Sequence, residues 1–172
     1  HRISLERCTI SRNRCSLMDS EYNSPPTGEF PIGGSILYST GVHTQTNFSM
    51  LDCSVTDNGA VGQELGIDSR GGCFLLENGS EVMIELNRTH LIGCQAGKGS
   101  LSYVGSGADL LLLLDHSSIG GYASQNGGMV YVSQSECTVA SIDSFSLGDD
   151  KSSMSVISKS DDNTLAVVSG MD

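Results

Sequence analysis

Short runs in which apolar and polar residues alternate recur along the whole chain. Alternation with a period of two is typical of β-strands, because successive side chains point to opposite faces of a sheet. Five of these runs begin just after a doublet, usually Gly-Gly, which is found at Gly33-Gly34, Gly71-Gly72, Lys98-Gly99, Gly127-Gly128 and, more weakly, Lys151-Ser152. We take them as the first strands of a repeating unit: Ser35-Ile36-Leu37-Tyr38, Cys73-Phe74-Leu75-Leu76, Ser100-Leu101-Ser102-Tyr103, Met129-Val130-Tyr131-Val132 and Ser153-Met154-Ser155-Val156.

Two further runs of the same kind accompany the first strands. The second strands are Phe48-Ser49-Met50, Val82 to Leu86, Leu110 to Leu114, Cys137-Thr138-Val139 and Leu165-Ala166-Val167. The third strands are Cys8-Thr9-Ile10, Cys53-Ser54-Val55, Ile92-Gly93-Cys94, Ser117-Ser118-Ile119 and Phe145-Ser146-Leu147. Turns rich in Gly, Asn, Asp and Ser separate the runs, such as Asp57-Asn58-Gly59 and Gly105-Ser106-Gly107.

This arrangement predicts an all-β fold, a right-handed parallel β-helix in which each unit is one coil. A unit of roughly 24–29 residues with three short strands and one loop insertion must stack on its neighbours to bury its apolar face. We expect about five to six coils in a single domain over residues 1–172. The right hand is expected because crossover connections almost always have it. A β-sandwich does not require a recurring three-strand unit, and the Asn and Leu template of a leucine-rich repeat is missing.

The doublets with their first strands also resemble a known repeat. Gly33-Gly34-Ser35-Ile36 and Gly71-Gly72-Cys73-Phe74 resemble the Gly-Gly-Ala-Ile repeat of the polymorphic outer-membrane-protein family. More broadly, the chain is similar to the right-handed parallel β-helices of the pectin-lyase-like superfamily. The resemblance implies a surface-exposed extracellular scaffold, often an adhesive one.

Six cysteines add a second pattern. Cys8, Cys53 and Cys94 fall at the third-strand position of three consecutive units, where stacked side chains would be close enough for a disulfide. Two interpretations stay open. The cysteines form a ladder of buried thiols that behave as small apolar residues, or one pair is bonded, Cys8–Cys15 locally or Cys53–Cys94 between neighbouring coils. No Cys-x-x-Cys pair occurs, so no metal site is expected.

Three N-glycosylation sequons are present, at Asn47, Asn78 and Asn87. Asn78 and Asn87 flank the strand Val82 to Leu86, at predicted turns where a glycan would project into solvent. Asn47 lies at a strand edge after a Thr-rich loop. The sequons favour a secreted eukaryotic glycoprotein.

Charge and hydropathy exclude several partners. The formal net charge is −11, which leaves few cations to neutralise the phosphates of a nucleic acid or of an anionic membrane surface. The longest apolar run, Leu110 to Leu114, is far short of the ~20 residues that span a bilayer. We therefore expect neither nucleic-acid binding nor membrane insertion.

Candidate catalytic groups are sparse. Pectin-lyase-like enzymes use clustered carboxylates that bind calcium, with an Arg or Lys base, or paired aspartates near a histidine. The acidic pairs Asp149-Asp150 and Asp161-Asp162 lie in polar turns, and His43, His90 and His116 have no recurring acid or nucleophile beside them in the sequence. We predict no catalytic site, no metal and no cofactor.

The sequence therefore predicts a non-enzymatic structural glycoprotein, extracellular or at the cell surface. It begins at a predicted third strand, residues 4–10, and ends after a predicted second strand, residues 165–168. Such ends would complete one coil between two copies, which suggests end-to-end association into a fibre, or contact with flanking coils of the same protein. One alternative is a carbohydrate-binding or adhesive module, with Tyr38, Tyr103 and Tyr131 as the only aromatic ladder; we expect Tyr38 and Tyr103 to be core residues. The other is a polysaccharide lyase.

Overall fold

Strands account for all the regular secondary structure in the part of the chain that can be described. A computed structural model describes residues 1–16, 33–61, 69–126, 129–133, 135–141, 146–147, 156–158 and 164–169. Within these ranges there are 18 strands and no helix, and every strand pairing is parallel. Consequently no helix in the described ranges has the length and apolarity needed to cross a membrane.

The strands form three sheets, which we number in the order of the predicted strands. Sheet I contains β4 (Leu37–Thr40), β8 (Phe74–Glu77), β11 (Ser102–Gly105), β14 (Val130–Ser133) and β17 (Val156–Ser158). Sheet II contains β1 (Arg2–Glu6), β5 (Gln45–Leu51), β9 (Glu81–Asn87), β12 (Asp109–Asp115), β15 (Glu136–Ser141) and β18 (Thr164–Ser169). Sheet III contains β2 (Thr9–Ser11), β6 (Ser54–Thr56), β10 (His90–Lys98), β13 (Ser118–Asn126) and β16 (Ser146–Leu147), with β3 (Arg14–Ser16) and β7 (Gly59–Val61) paired beside them.

The chain visits sheets I, II and III in turn, which is the path of a parallel β-helix. The predicted fold class is thus confirmed, and the six strands of sheet II match the expected number of coils. Equivalent residues of sheet II are 45, 36 and 28 positions apart in successive coils. The sequence predicted one loop insertion, but two of these spacings, 45 and 36 residues, are long. The extra residues fall between β3 and β4 and between β7 and β8. Residues 17–32 and 62–68 in these connections lie outside the described ranges.

The core lies between the three sheets and is built from columns, meaning in-register residues on neighbouring strands. In β5 and β12 every second residue is buried, as the alternation predicted. One inward column runs through Phe48, Ile84 and Leu112, and the next through Met50, Leu86 and Leu114. Because each coil covers the apolar residues of its neighbours, the coils stabilise one another.

A left-handed glycine lies three residues before the first residue of β4, β8 and β11. Gly34, Gly71 and Gly99 have φ of 64°, 59° and 62°, a region that residues with a Cβ rarely adopt. A Cβ at these positions would also collide with the carbonyl oxygen three residues ahead, at Leu37, Phe74 and Ser102. The left-handed position is thus the second member of the doublets Gly33-Gly34 and Lys98-Gly99 but the first member of Gly71-Gly72.

The predicted third strand Cys8-Thr9-Ile10 overlaps β2 in sheet III, but the longer range 4–10 and the strand Ile92-Gly93-Cys94 need correction. Residues 4–10 do not form one third strand, because β1 pairs with β5 in sheet II and only β2 lies in sheet III. The outermost described strands, β1 and β18, both belong to sheet II, so the prediction of a third strand at one end and a second strand at the other is wrong. In the third coil, His90 pairs with Ser54 and Leu91 with Val55. This is three residues before the register of the predicted strand Ile92-Gly93-Cys94, and five residues before the register that would place Cys94 beside Cys53.

Candidate functional site

The corner between sheets II and III carries a column of polar residues, Arg7, Asp52, Arg88 and His116, which we call the corner column. All four have a left-handed backbone, with φ of 50°, 53°, 45° and 45°. This conformation turns the chain from one sheet into the next. The amide N–H of each of Arg7, Asp52 and Arg88 donates to a carbonyl of the next coil, so the turn stays within the hydrogen-bonded stack.

Ion pairs follow the corner column on the outside. The guanidinium of Arg88 donates two hydrogen bonds to the carboxylate of Asp52 in the preceding coil, at 2.6 and 3.0 Å. This contact lowers the pKa of Asp52 and raises that of Arg88. Arg7 pairs with Glu6, and His116 Nδ1 lies 2.6 Å from Asp115 Oδ1. All these groups are partly or largely exposed, so solvent screens the attraction.

The residue after each corner points inward and forms a second column, Cys8, Cys53, Thr89 and Ser117, which we call the inner corner ladder. The N–H of Cys53 donates to Thr89 Oγ1 at 3.4 Å, and the N–H of Thr89 donates to Ser117 Oγ at 3.1 Å. Ser117 Oγ lies 2.8 Å from the carbonyl oxygen of Asp115 and 3.0 Å from that of Leu86, and its one hydroxyl proton is shared between these two acceptors. Thr89 occupies the place where the sequence predicted Cys94, so the ladder of three cysteines is wrong at its third member.

Cys94 forms a disulfide with Cys73 instead. Their Cα atoms are 6.1 Å apart and both side chains are completely buried. The bond joins the residue before β8 in sheet I to β10 in sheet III, across the interior of one coil. The predicted pair Cys53–Cys94 is therefore wrong. The local pair Cys8–Cys15 cannot be placed, since the side chain of Cys15 lies outside the described residues.

Three other cysteines are free thiols: Cys8, Cys53 and Cys137. The Cys8 thiol donates a hydrogen bond to Cys53 Sγ at 2.9 Å. Burial and this contact raise the pKa of Cys8 to about 11. Cys137 lies in an inward column of sheet II, where burial raises its pKa to about 12.

The three sequon asparagines differ in accessibility. Asn47 is exposed on the outer face of β5, and Asn78 is exposed at a tight turn with a left-handed φ of 56°. Asn78 Nδ2 donates to Thr40 Oγ1 at 2.8 Å. Asn87 is half-buried, and its Nδ2 donates to Asp115 Oδ2 at 2.8 Å.

Sheet II carries a shallow hollow on its outer face. One column of in-register residues that lines this hollow is Gln45, Glu81, Asp109 and Glu136, and a second lining column contains Met83 and Leu111. Gln45 Nε2 donates to Glu81 Oε2 at 2.7 Å. Among the described residues, no group of three or more His, Cys, Asp and Glu is placed to hold a metal ion.

The tyrosine column on the outer face of sheet I is mostly covered. Tyr103 and Tyr131 stack with their ring centroids 5.2 Å apart, and Arg70 and Lys98 lie over these rings. Burial, ahead of the neighbouring charges, raises the pKa of Tyr103. Tyr103 is buried as predicted, but Tyr38 is 48% exposed, so its assignment to the core was wrong.

The histidines have partners that the sequence did not reveal. His90 Nδ1 lies 2.6 Å from Ser118 Oγ, its neighbour in the next coil, and His116 contacts Asp115 as described above. His43 occupies a turn with a left-handed φ of 61°. If the third strands had been aligned in the observed register, the repeat would have predicted the His90–Ser118 contact, because the two residues occupy one column. The acidic pairs at 149–150 and 161–162 lie outside the described residues.

Comparison of the chain with protein-family models, with curated proteins and with solved structures finds no match.

Proposed function

We propose that the chain is a non-enzymatic structural domain of an extracellular or cell-surface glycoprotein, a β-helical scaffold. The observation that carries this proposal is the Cys73–Cys94 disulfide, which is completely buried and ties two sheets of one coil together. Disulfides of this structural kind persist in oxidising compartments and are rare in the cytosol. The bond therefore supports a secreted or surface location.

The positions of the sequons support the same proposal. Asn47 and Asn78 are exposed, so a glycan on either would extend into solvent. At Asn87 a glycan would compete with the hydrogen bond from Nδ2 to Asp115. We propose glycans on Asn47 and Asn78 first, and on Asn87 only where modification precedes folding.

Expression through a eukaryotic secretory pathway, followed by enzymatic removal of N-glycans, tests this assignment. Asn47→Gln and Asn78→Gln should each reduce the shift in electrophoretic mobility by the contribution of one glycan. Asn87→Gln should change that shift little. A secreted, folded chain with no glycan at Asn47 or Asn78 would contradict the assignment. Calcium-dependent cleavage of an acidic polysaccharide by the purified chain would contradict the non-enzymatic role.

End-to-end association is part of the proposal and rests on the first coil. Ile3 belongs to the inward column of Phe48 and Ile84 but is 39% exposed, whereas those two are 2% and 0% exposed. An inward apolar side chain that is left open, beside an edge of β1 that pairs with no strand in the described ranges, favours contact with another coil. Sedimentation velocity should show concentration-dependent association that Ile3→Lys weakens. A chain that stays monomeric at high concentration would exclude self-association and leave flanking coils of the same protein as the partner.

Carbohydrate binding is the second candidate, and Tyr38 favours it. Tyr38 is 48% exposed on the outer face of sheet I. Exposed aromatic faces stack against sugar rings through the same dispersion contacts that pack aromatic groups in proteins. Binding to a glycan array should be lost in Tyr38→Ala and retained in Val42→Ala, which removes another exposed apolar side chain. Equal binding by both variants would exclude Tyr38 as the contact.

A further inference from the structure

The first two members of the inner corner ladder are placed for a reaction with each other. Thr9 pairs with Ser54 in the parallel register of β2 and β6, so the preceding residues Cys8 and Cys53 are also neighbours on adjacent strands. Adjacent strands lie ~4.8 Å apart, within the range of Cα separations that a disulfide spans. The two sulfur atoms already face each other at 2.9 Å.

We propose that Cys8 and Cys53 are a redox pair that closes to a second disulfide and fastens the first coil to the second. This bond differs from the Cys73–Cys94 bond, which lies within one coil. It would join residues 45 positions apart in the sequence. The covalent link would secure the first coil, in which the inward residue Ile3 is 39% exposed.

Closure needs an external disulfide as oxidant, such as oxidised glutathione. The Cys8 thiolate attacks one sulfur of the oxidant and expels one glutathione thiolate, which leaves a mixed disulfide on Cys8. The Cys53 thiolate then attacks Cys8 Sγ and expels the second glutathione. Two protein thiols are oxidised by two electrons, one oxidant disulfide is reduced to two thiols, and the two protons end on the glutathiones.

Exposure decides the order of these two steps. Cys8 is half-buried, whereas Cys53 is 2% exposed and its thiol also lies near the carbonyls of Leu5 and Leu51. Only Cys8 can be reached by an oxidant from solvent. Arg7, Asp52, Arg88 and His90 line the hollow above the pair. With the pKa of Cys8 raised to about 11, few thiolates form near neutrality, so closure should be slow there and faster as the pH rises.

Persistence of the bond in the organism rests on the proposed extracellular location, but its formation can be tested apart from that. The purified chain is incubated with oxidised glutathione at pH 8.5, and the free thiols are then alkylated. Digestion with trypsin and a protease that cleaves before aspartate places Cys8 in peptide 8–12, Cys15 in 15–18 and Cys53 in 52–56. Peptides 71–88 and 89–98 report the Cys73–Cys94 bond as an internal reference.

The expected result is a linked pair of peptides 8–12 and 52–56, and a melting temperature about 5–10 °C higher than that of the reduced pair. Cys8→Ser and Cys53→Ser should each abolish the linked peptides and the temperature shift. Cys137→Ser, which removes another buried free thiol, should leave both unchanged. A bond from Cys8 to Cys15, or two alkylated thiols at Cys8 and Cys53 while Cys73–Cys94 stays intact, would overturn the inference without affecting the proposed function.

Discussion

Single residues with a left-handed backbone determine where this chain turns from one sheet to the next. Besides the glycines, the described residues with positive φ include Asn78 and Asp57, which tolerate it well, and Arg7 and Arg88, which do not favour it. The arginine corners persist because the hydrogen bonds of neighbouring coils fix the backbone on both sides. Local sequence preference therefore explains some corners, and the stack explains the others.

Gly71 should tolerate no side chain. Gly71→Ala places a Cβ against the carbonyl of Phe74 at a φ of 59°, and we expect it to lower the free energy of unfolding by more than ~3 kcal/mol. Gly107→Ala is the matched control, because Gly107 has a φ of 75° but no atom within 4 Å of the added Cβ. It should cost only the ~1–2 kcal/mol of the left-handed conformation. Equal losses of stability in urea denaturation would contradict the collision.

Asp52 should titrate below its ordinary range for as long as Arg88 is present. The hydrogen bond from Arg88 lowers the pKa of Asp52 in the folded chain. A carboxyl group of this kind stabilises the fold above its ordinary pKa, and that contribution is lost as the pH falls through the lowered value. In Arg88→Gln the pKa of Asp52, followed by NMR, should rise toward 3.8. Arg12→Gln, which removes an arginine at another left-handed turn, should leave it unchanged.

At the scale of a strand, alternation decides which residues the core depends on. Leu111 and Leu112 are neighbours in β12 but face opposite sides, with exposures of 37% and 1%. Leu112 packs between the inward residues of the coils on either side, whereas Leu111 lies in the hollow on the outer face.

Leu112→Ala should therefore lower the free energy of unfolding by about 2–5 kcal/mol, because it opens a cavity in the stack. Leu111→Ala is its control and should cost less than ~1 kcal/mol. Urea denaturation of the two variants measures the difference. A larger loss of stability in Leu111→Ala would mean that Leu111, and not Leu112, faces the core.

The same alternation explains how far the sequence could predict the fold. Every predicted second strand lies inside a strand of sheet II, because each run has an apolar residue at every second position. The third coil was misaligned in sheet III because Cys94 was matched to Cys53, whereas the residue that follows the corner of this coil is Thr89. That error put Cys94 in the wrong column and concealed its bond with Cys73. Spacing along the chain cannot predict a bond across the interior of a coil.

At the scale of the whole molecule, the coils form a stack whose outer faces differ in chemistry. Sheet II presents an acidic column and sheet I a covered tyrosine column, while the corner between sheets II and III presents alternating charges. A scaffold of this kind needs its coils to stay in register, and the buried disulfide supplies a covalent tie within one of them. The proposed role at a cell surface depends on that bond being formed where the protein works.

The most direct test is a map of the thiols, disulfides and glycans of the protein recovered from its natural source, with free thiols alkylated before lysis or extraction. We predict that Cys73 and Cys94 are recovered as one linked pair of peptides and that the Asn78 peptide carries a glycan. Alkylated Cys73 and Cys94 together with unmodified Asn47 and Asn78 would contradict an extracellular scaffold.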